Sequence, residues 1–197
     1  MFGEWFRVFF KPDTAKEYSK EASVGKATLN ILVASVIGGL VLAIFALILG
    51  SVVGGFLGKL AGAGIGAALG FGFAVMLFIW VVIGSILSLL IGSAILLLFA
   101  KIFGGKGDYT LQTYLISLPM SALVLISGVL GWIPILGGII SFIASIWYLY
   151  PLTIVLKQTH KYTTGKAVLT WLIPAIIITI IYAIFAAIFL ASFMAVR

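Results

Sequence analysis

Charged side chains are absent from four long stretches of the chain. No Asp, Glu, Lys or Arg occurs in residues 27–58, 60–100, 109–156 or 167–196. Each stretch is long enough for a membrane helix of about 20 residues, and the third is long enough for two. The pattern therefore predicts five transmembrane helices, at about residues 29–49, 71–100, 111–130, 133–156 and 168–196.

The lengths of the spans and of their connections refine this prediction. The second and fifth spans are longer than a hydrocarbon core of about 30 Å requires, so we expect them to tilt or to extend into the interface. Spans three and four are joined by "GWIPILGG", residues 131–138, in which Pro134 and the glycines predict a tight turn.

Composition favours a membrane protein over a soluble one. Of the 197 residues, 63% are apolar and 9% are charged, and the mean hydropathy is +1.32. Soluble domains are nearer half apolar and a quarter charged. The predicted fold class is all-α, an integral membrane bundle of five transmembrane helices with an N-terminal interfacial amphipathic helix. The chain contains no cysteine, which excludes disulfides and thiolate metal sites.

The distribution of basic residues predicts the orientation. With five spans and a cytoplasmic N-terminus, ten Lys and Arg residues lie inside and only Lys59 and Arg197 lie outside. A sixth span through residues 50–70 would embed Lys59 and divide the others six to five. The positive-inside rule therefore favours five spans in the cell membrane, with the C-terminus outside. We read the basic excess as an orientation signal and an attraction to anionic lipid, not as a nucleic-acid site.

The first 27 residues are predicted to form a cytoplasmic interfacial segment, and residues 28–197 the transmembrane domain. On a helix, five aromatic residues would form one stripe away from the nearby charges, which is typical of a helix lying in the membrane interface: Phe2, Trp5, Phe6, Phe9 and Phe10. Pro12 should end this helix, and "DTAKEYSKEA" should form a second short polar helix with Asp13 as its N-cap. The alternative is that the stripe packs on the protein's own spans.

A glycine repeat occupies the predicted outer connection, residues 50–70. Glycine recurs at every fourth position, at Gly50, Gly54, Gly58, Gly62, Gly66 and Gly70. Four residues turn a helix by about 400°, so successive glycines drift by about 40° and all six cannot share one face. We interpret the segment as a connection that bends or re-enters the membrane and packs closely on other spans. A pore-forming glycine zipper is the alternative.

Small residues also recur at helical spacing inside the spans. They allow close helix approach in a bilayer, where lipid is as apolar as leucine. We favour packing within the chain over an oligomer interface for these residues: Gly84, Ser88, Gly92, Gly137, Ser141, Ser145, Ala183, Ala187, Ala191 and Ala195.

The titratable residues provide no arrangement typical of an enzyme. All five acidic residues lie outside the predicted spans, whereas ion-coupled pumps need titratable groups within the membrane. His160 is the only histidine, and its place in a predicted loop indicates a solvated side chain and not a metal ligand or a catalytic base. "GGKGD" lacks the spacing and hydroxyl of a phosphate-binding loop. We therefore expect no enzymatic activity, no metal and no cofactor.

Three prolines fall in the cytoplasmic halves of spans three to five, namely Pro119, Pro151 and Pro174. Each removes a backbone hydrogen bond and is predicted to kink its helix. Kinks at matching depth could open an inward-facing cavity lined by polar side chains: Gln112, Ser117, Ser121, Thr153 and Thr170. A passive permease or channel for a small solute is therefore the alternative function.

Several segments resemble the Yip domain family, the Ypt/Rab-interacting multispan membrane proteins. They are "GGKGDYTLQTYLISLP", the hairpin "GWIP", and "SIWYLYPLTIVLKQTHKYTTGKAVLTWLIPAIII". The opening "FFKPDTAKEYSKEASVGKATLNIL" is similar to prokaryotic members, which begin with an interfacial segment, a proline and a short helix. Most of the chain outside residues 50–70 shares the resemblance.

The resemblance implies a five-span α-helical protein with a cytoplasmic N-terminus, no enzymatic activity and a tendency to form homo- or hetero-oligomers. In eukaryotic members it implies association with Rab GTPases and a role in vesicle traffic. The long N-terminal extension of those relatives is missing here, so a GTPase partner is doubtful. Our leading hypothesis is a membrane-organising or membrane-shaping scaffold whose aromatic N-terminal helix acts as a wedge in the cytoplasmic leaflet.

Overall fold

The computed structural model describes residues 1–61 and 63–195, with side chains described for all of these except 53–69, 193 and 195. Within these residues the chain forms α-helices and one 3₁₀ helix, Pro12–Glu21, and no strand. The α-helices are α1 Phe2–Phe10, α2 Val24–Ala61, α3 Ala63–Ile102, α4 Tyr109–Leu130, α5 Leu136–His160 and α6 Thr164–Ala195.

Five helices are long and apolar enough to cross a membrane, which confirms the predicted number of spans. The qualifying segments have mean hydropathies of 1.9–2.9 over their most apolar windows: Val24–Val52, Gly70–Ile102, Tyr109–Leu130, Leu136–His160 and Thr164–Ser192. Because a bilayer offers no water to unpaired backbone groups, continuous helices are the expected form for such segments.

Local chemistry determines where the helices begin. Asp108 caps α4 by accepting a hydrogen bond from Leu111 N at 2.9 Å. The fourth span begins at Leu136 and not at Ile133 as predicted, because Pro134 and the left-handed Ile135 (φ 65°) interrupt the helix. The expected Asp13 cap is wrong, since the 3₁₀ helix begins with Pro12 and has no side-chain cap.

The glycine repeat lies on helices wherever the structure describes it. The helices α2 and α3 are 38 and 40 residues long, roughly 57 and 60 Å at 1.5 Å per residue. The backbone on both sides of residue 62 is therefore helical and not an irregular loop, and Gly62 itself lies outside the described residues. Gly50 and Gly70 face each other, since a Cβ on Gly50 would lie 2.9 Å from Gly70 Cα.

A glycine pair outside the repeat brings two spans into close contact. A Cβ on Gly128 of α4 would meet Gly38 Cα of α2 and would lie 2.8 Å from its carbonyl carbon. Both glycines are buried. The backbones of α2 and α4 can approach this closely only because neither residue has a side chain.

The small-residue stripes on α3 and α6 differ from the prediction. The side chain of Ala195 lies outside the described part of the chain. A Cβ on Gly84 or Gly92 would meet nothing within 4 Å, and every described side chain of α6 from Ala175 to Met194 is exposed, including those of Ala183, Ala187 and Ala191. Packing within the chain is therefore wrong for these positions. Gly137 does pack closely, since a Cβ there would lie 2.8 Å from Gly131. Ser145 is exposed, and its hydroxyl bonds within α5 to the Ser141 carbonyl at 2.7 Å.

The two kinds of glycine predict opposite effects of an added methyl group. Gly128→Ala should destabilise the protein by about 1–3 kcal/mol, because the new Cβ overlaps the α2 backbone. Gly84→Ala should be neutral or stabilising by up to about 1 kcal/mol, because it adds helix propensity in open space. Thermal unfolding of both variants in mild detergent measures the difference, and equal Tm values would contradict the packing described here.

Candidate functional site

Four helix termini meet at one end of the bundle, which we call the basic end. Here α3 and α5 end and α4 and α6 begin, and the loops 103–108 and 161–163 connect them. This end carries five exposed lysines: Lys101, Lys106, Lys157, Lys161 and Lys166.

Three hydrogen bonds join the loop 103–108 to the helix ends on either side of the loop 161–163. Lys106 N donates to the His160 carbonyl at 3.2 Å, and Gly107 N donates to His160 Nδ1 at 3.1 Å. Lys166 Nζ donates to the Phe103 carbonyl at 3.0 Å. The loops are therefore one connected unit and not two independent surface segments.

A buried polar chain continues from these loops into the bundle. His160 Nε2 lies 2.7 Å from Gln112 Oε1, and Gln112 Nε2 donates to the Ser93 carbonyl at 2.7 Å. Since Nδ1 accepts the bond from Gly107, the ring proton is assigned to Nε2, which donates to Gln112. The His160 and Gln112 side chains are fully buried, so the hydrogen bonds that join α3, α4 and α5 are shielded from water.

The glycines of "GGKGD" leave room for this histidine. A Cβ on Gly105 would lie 2.7 Å from His160 Nδ1 and 2.8 Å from the Ala100 carbonyl. A Cβ on Gly107 would lie 2.7 Å from the Thr159 carbonyl. The glycines therefore allow the loop to pack closely on the end of α5, and this packing explains them without a phosphate-binding role.

The expectation of a solvated loop histidine is wrong. His160 ends α5 and its ring is buried against the loop 103–108, where the Gly107 amide and the Gln112 side chain satisfy the two ring nitrogens. Sequence reasoning missed Gly105, Gly107 and Gln112 as its partners. Two closely spaced glycines directly before α4 were the available signal.

Tyr162 covers the histidine from the other loop. Its ring stacks on His160 with centroids 5.4 Å apart, and its hydroxyl lies 2.9 Å from Thr170 Oγ1. Burial raises the pKa of Tyr162 above its ordinary value, and the hydrogen bond to Thr170 offsets part of this rise. The tyrosine therefore stays protonated at neutral pH and keeps a donor for Thr170.

The N-terminal helix α1 is docked on the bundle. Trp5 and Val8 are fully buried and Phe9 is 2% exposed. Trp147 Nε1 of α5 donates to the Phe9 carbonyl at 3.0 Å. Burial of three large apolar side chains on the spans holds this helix in place.

The aromatic stripe divides into two ridges. Trp5 and Phe9 face the protein, so their predicted contact with lipid is wrong, because α4 and α5 cover them. Phe2 and Phe10 remain 45% and 58% exposed, with Phe6 partly exposed between them. These three residues are four apart and form the outer ridge of α1.

Ion pairs hold the polar side of the N-terminal segment. Arg7 of α1 pairs with Glu17 of the 3₁₀ helix, Nη2 to Oε2 3.1 Å, and Lys26 pairs with Glu21 at 3.0 Å. The N-terminal ammonium pairs with Glu4 at 2.9 Å. Three of the five acidic residues are therefore occupied near the N-terminus.

Comparison with known proteins places this architecture in a family. The model of the Yip1 domain matches residues 6–193, nearly the whole chain. The chain belongs to the Yip1 domain family. Neither a curated protein nor a solved structure matches it. The resemblance drawn from the loop and hairpin segments is thereby confirmed, and the protein is a multispan membrane protein whose apolar helices contact the lipid bilayer.

The polar residues predicted to line a cavity are buried in the Yip1 domain and already hydrogen-bonded. Asn30 Nδ2 of α2 donates to Ser117 Oγ at 3.1 Å, and Trp171 Nε1 of α6 donates to Thr153 Oγ1 at 2.9 Å. Ser121 bonds to the carbonyl of Ser117 at 2.7 Å. The remaining two, Gln112 and Thr170, belong to the basic end. The bonds from Asn30 and Trp171 hold neighbouring helices together, which is the expected use of polar groups between membrane helices, whereas the Ser121 bond lies within α4.

Two grooves of the Yip1 domain are lined by other residues. One of about 1040 Å³ lies between α3 and α6 and includes Ile83, Leu87 and Ile91. The other, about 460 Å³, lies among α2 to α5. Neither groove contains any of the five residues predicted to line an inward-facing cavity. These residues are buried between helices instead, so that prediction is wrong. Pro119, Pro151 and Pro174 are buried within α4, α5 and α6.

The histidine contacts predict that His160→Ala destabilises this Yip1 domain by about 2–4 kcal/mol. The change leaves Gln112 Oε1 and Gly107 N unpaired and opens a cavity. The Gly107 amide should also exchange its hydrogen faster, and both effects are measured by thermal unfolding and by hydrogen exchange in mild detergent.

Thr164→Ala, at the exposed first residue of α6, is the matched control and should stay within about 0.5 kcal/mol of the parent. Unchanged exchange at Gly107 in His160→Ala would show that the buried chain does not hold the loop.

Proposed function

We propose that this protein is a non-enzymatic membrane scaffold that engages the cytoplasmic leaflet through α1 and the basic end. The observation that carries the proposal is the divided aromatic stripe of α1. Trp5, Val8 and Phe9 attach the helix to the spans, while Phe2 and Phe10 stay exposed.

The mounting of α1 supports a wedge role on physical grounds. An interfacial helix inserts its apolar face into the boundary between headgroups and acyl chains. Here the outer ridge belongs to a helix clamped to α4 and α5, so its rings would displace lipid at a fixed depth relative to the spans. Insertion into one leaflet alone expands that leaflet and favours curvature.

The charge distribution supports the orientation within this proposal. Ten basic residues belong to the N-terminal segment and the basic end, against Lys59 and Arg197 on the other side. Basic residues are retained in the cytoplasm and are attracted to its anionic leaflet. We therefore place both the N-terminus and the basic end in the cytoplasm and the C-terminus outside, in the cell membrane.

Assembly with other copies or with partner proteins completes the proposed scaffold role. Gly84 and Gly92 have open space beside them, and the alanines at 183, 187 and 191 are exposed. Small residues on an outward face permit another membrane helix to approach closely.

The wedge role predicts the effect of removing the outer ridge. Reconstituted into vesicles, the parent protein should reduce vesicle diameter as the protein-to-lipid ratio rises. The triple variant Phe2→Ser, Phe6→Ser, Phe10→Ser should lose about half or more of this effect, because serine does not partition among acyl chains. Cryo-electron microscopy of the vesicles gives the diameters.

The control replaces the same three phenylalanines by leucine, which keeps an apolar ridge and should retain curvature. If the serine and leucine variants shape vesicles equally, the ridge does not act as a wedge. Thermal unfolding checks that both variants remain folded.

The orientation can be tested with single cysteines, because the chain has none of its own. An impermeant maleimide should label Ile135→Cys on intact cells, since Ile135 is 82% exposed in the turn before α5. Thr163→Cys in the basic end should be labelled only after the membrane is permeabilised. The reverse pattern would overturn the proposed orientation.

A further inference from the structure

The lysines of the basic end lack acidic partners in the described part of the chain. Glu4, Glu17 and Glu21 pair with cations of the N-terminal segment. Asp108 uses a carboxylate oxygen to cap α4. In the described residues no ion pair involves the four lysines closest to the joined loops: Lys101, Lys106, Lys161 and Lys166.

The loop hydrogen bonds place these four lysines on one frame. The Lys106 amide bonds to the carbonyl of His160, the residue before Lys161. Lys166 Nζ bonds to the Phe103 carbonyl and would lie 4.0 Å from a Cβ on Gly104. Lys101 lies in the last turn of α3, where the loop 103–108 folds back on the helix end through a hydrogen bond from Gly105 N to the Ala100 carbonyl at 2.8 Å.

Four like charges on one frame repel one another, and Asp108, the one acidic residue in the two loops, offsets only one of the four. The frame is held by buried hydrogen bonds through His160, so the backbone positions that carry the lysines are held near one another. Lys166 uses one ammonium hydrogen on Phe103 and keeps two for a ligand. A phosphate, with several oxygens and a full negative charge, suits a cluster of ammonium groups.

The position of the cluster favours a lipid over a soluble phosphate. The four lysines lie where spans end, at the depth of lipid headgroups. Below them α3 exposes Leu98 and then Leu87 and Ile91 in the groove with α6. Ile91 is about 15 Å along the helix from Lys101, which is the depth of one leaflet's hydrocarbon layer.

We propose that Lys101, Lys106, Lys161 and Lys166 bind the phosphate headgroup of an anionic phospholipid whose acyl chains lie along α3 and α6. This inference deepens the proposed function and rests on its assignment of the basic end to the cytoplasmic leaflet. It adds a local site to what would otherwise be a general attraction between a basic surface and a membrane.

The test compares two triple variants of the full chain with the same loss of charge. One is Lys101→Gln, Lys106→Gln, Lys161→Gln, and the other is Lys11→Gln, Lys16→Gln, Lys20→Gln. Native mass spectrometry in neutral detergent measures binding of phosphatidylglycerol and of phosphatidylcholine to each. The loop variant should bind phosphatidylglycerol about tenfold more weakly than the parent, and the N-terminal variant less than about twofold.

Equal losses in the two variants would overturn the local site while leaving the leaflet attraction of the proposed function intact. A parent protein without preference for phosphatidylglycerol over phosphatidylcholine would overturn the site as well. Displacement of phosphatidylglycerol by glycerol phosphate, which has the headgroup chemistry without acyl chains, would overturn the assignment to lipid.

Two further variants protect the test against a folding defect. The same three loop lysines changed to arginine keep the charge and should restore binding to within about threefold of the parent. The single variant Lys106→Gln should lose part of the phosphatidylglycerol binding. If this variant binds as well as the parent and the arginine variant does not restore binding, the proposed site is wrong. Vesicle shaping by the outer ridge of α1 is measured separately, so its failure is distinguishable from failure of this site.

Discussion

The hydrogen bond from the Gly107 amide to His160 Nδ1 is the contact on which the basic end depends. A buried imidazole must satisfy both nitrogens, and here a loop amide and the Gln112 amide group do so. This requirement explains why glycine stands at 105 and 107, where a side chain would collide with the ring or with α5. The same contact joins the loop 103–108 to the end of α5, and thereby holds the backbone of that loop next to the backbone that leads into the loop 161–163.

The docking of α1 follows from a different constraint. A short helix has too few backbone bonds to be stable alone, and α1 gains stability by burying Trp5, Val8 and Phe9. The bond from Trp147 and the pair between Arg7 and Glu17 then fix its direction. Docking buries two of the five aromatic residues of the stripe and leaves the other three as the outer ridge, which is therefore fixed relative to the spans.

Close approach and buried polar bonds, more than apolar contact, associate the spans. Within a bilayer the hydrophobic effect does not distinguish a helix partner from lipid. The Gly38 and Gly128 backbones meet, and Asn30 bonds to Ser117 across α2 and α4. The α6 helix, which has fewer such contacts, exposes every described side chain after Pro174. The helices α2 and α4 therefore form the closely packed centre of the bundle, whereas α6 after Pro174 forms part of its outer surface.

The sequence alone determined the number of spans and the helical class, because a bilayer excludes charged side chains over about 20 residues and the charge-free stretches of the chain show where this happens. It also indicated the family, through the loop and hairpin segments that resemble the Yip domain. It did not determine which side of each helix faces a neighbour. Trp5 and Phe9, His160, and the five polar residues of the expected cavity were all assigned to water or lipid, and all are buried by contacts from distant segments. Periodicity defines a helix's faces, whereas only tertiary packing decides what covers each face.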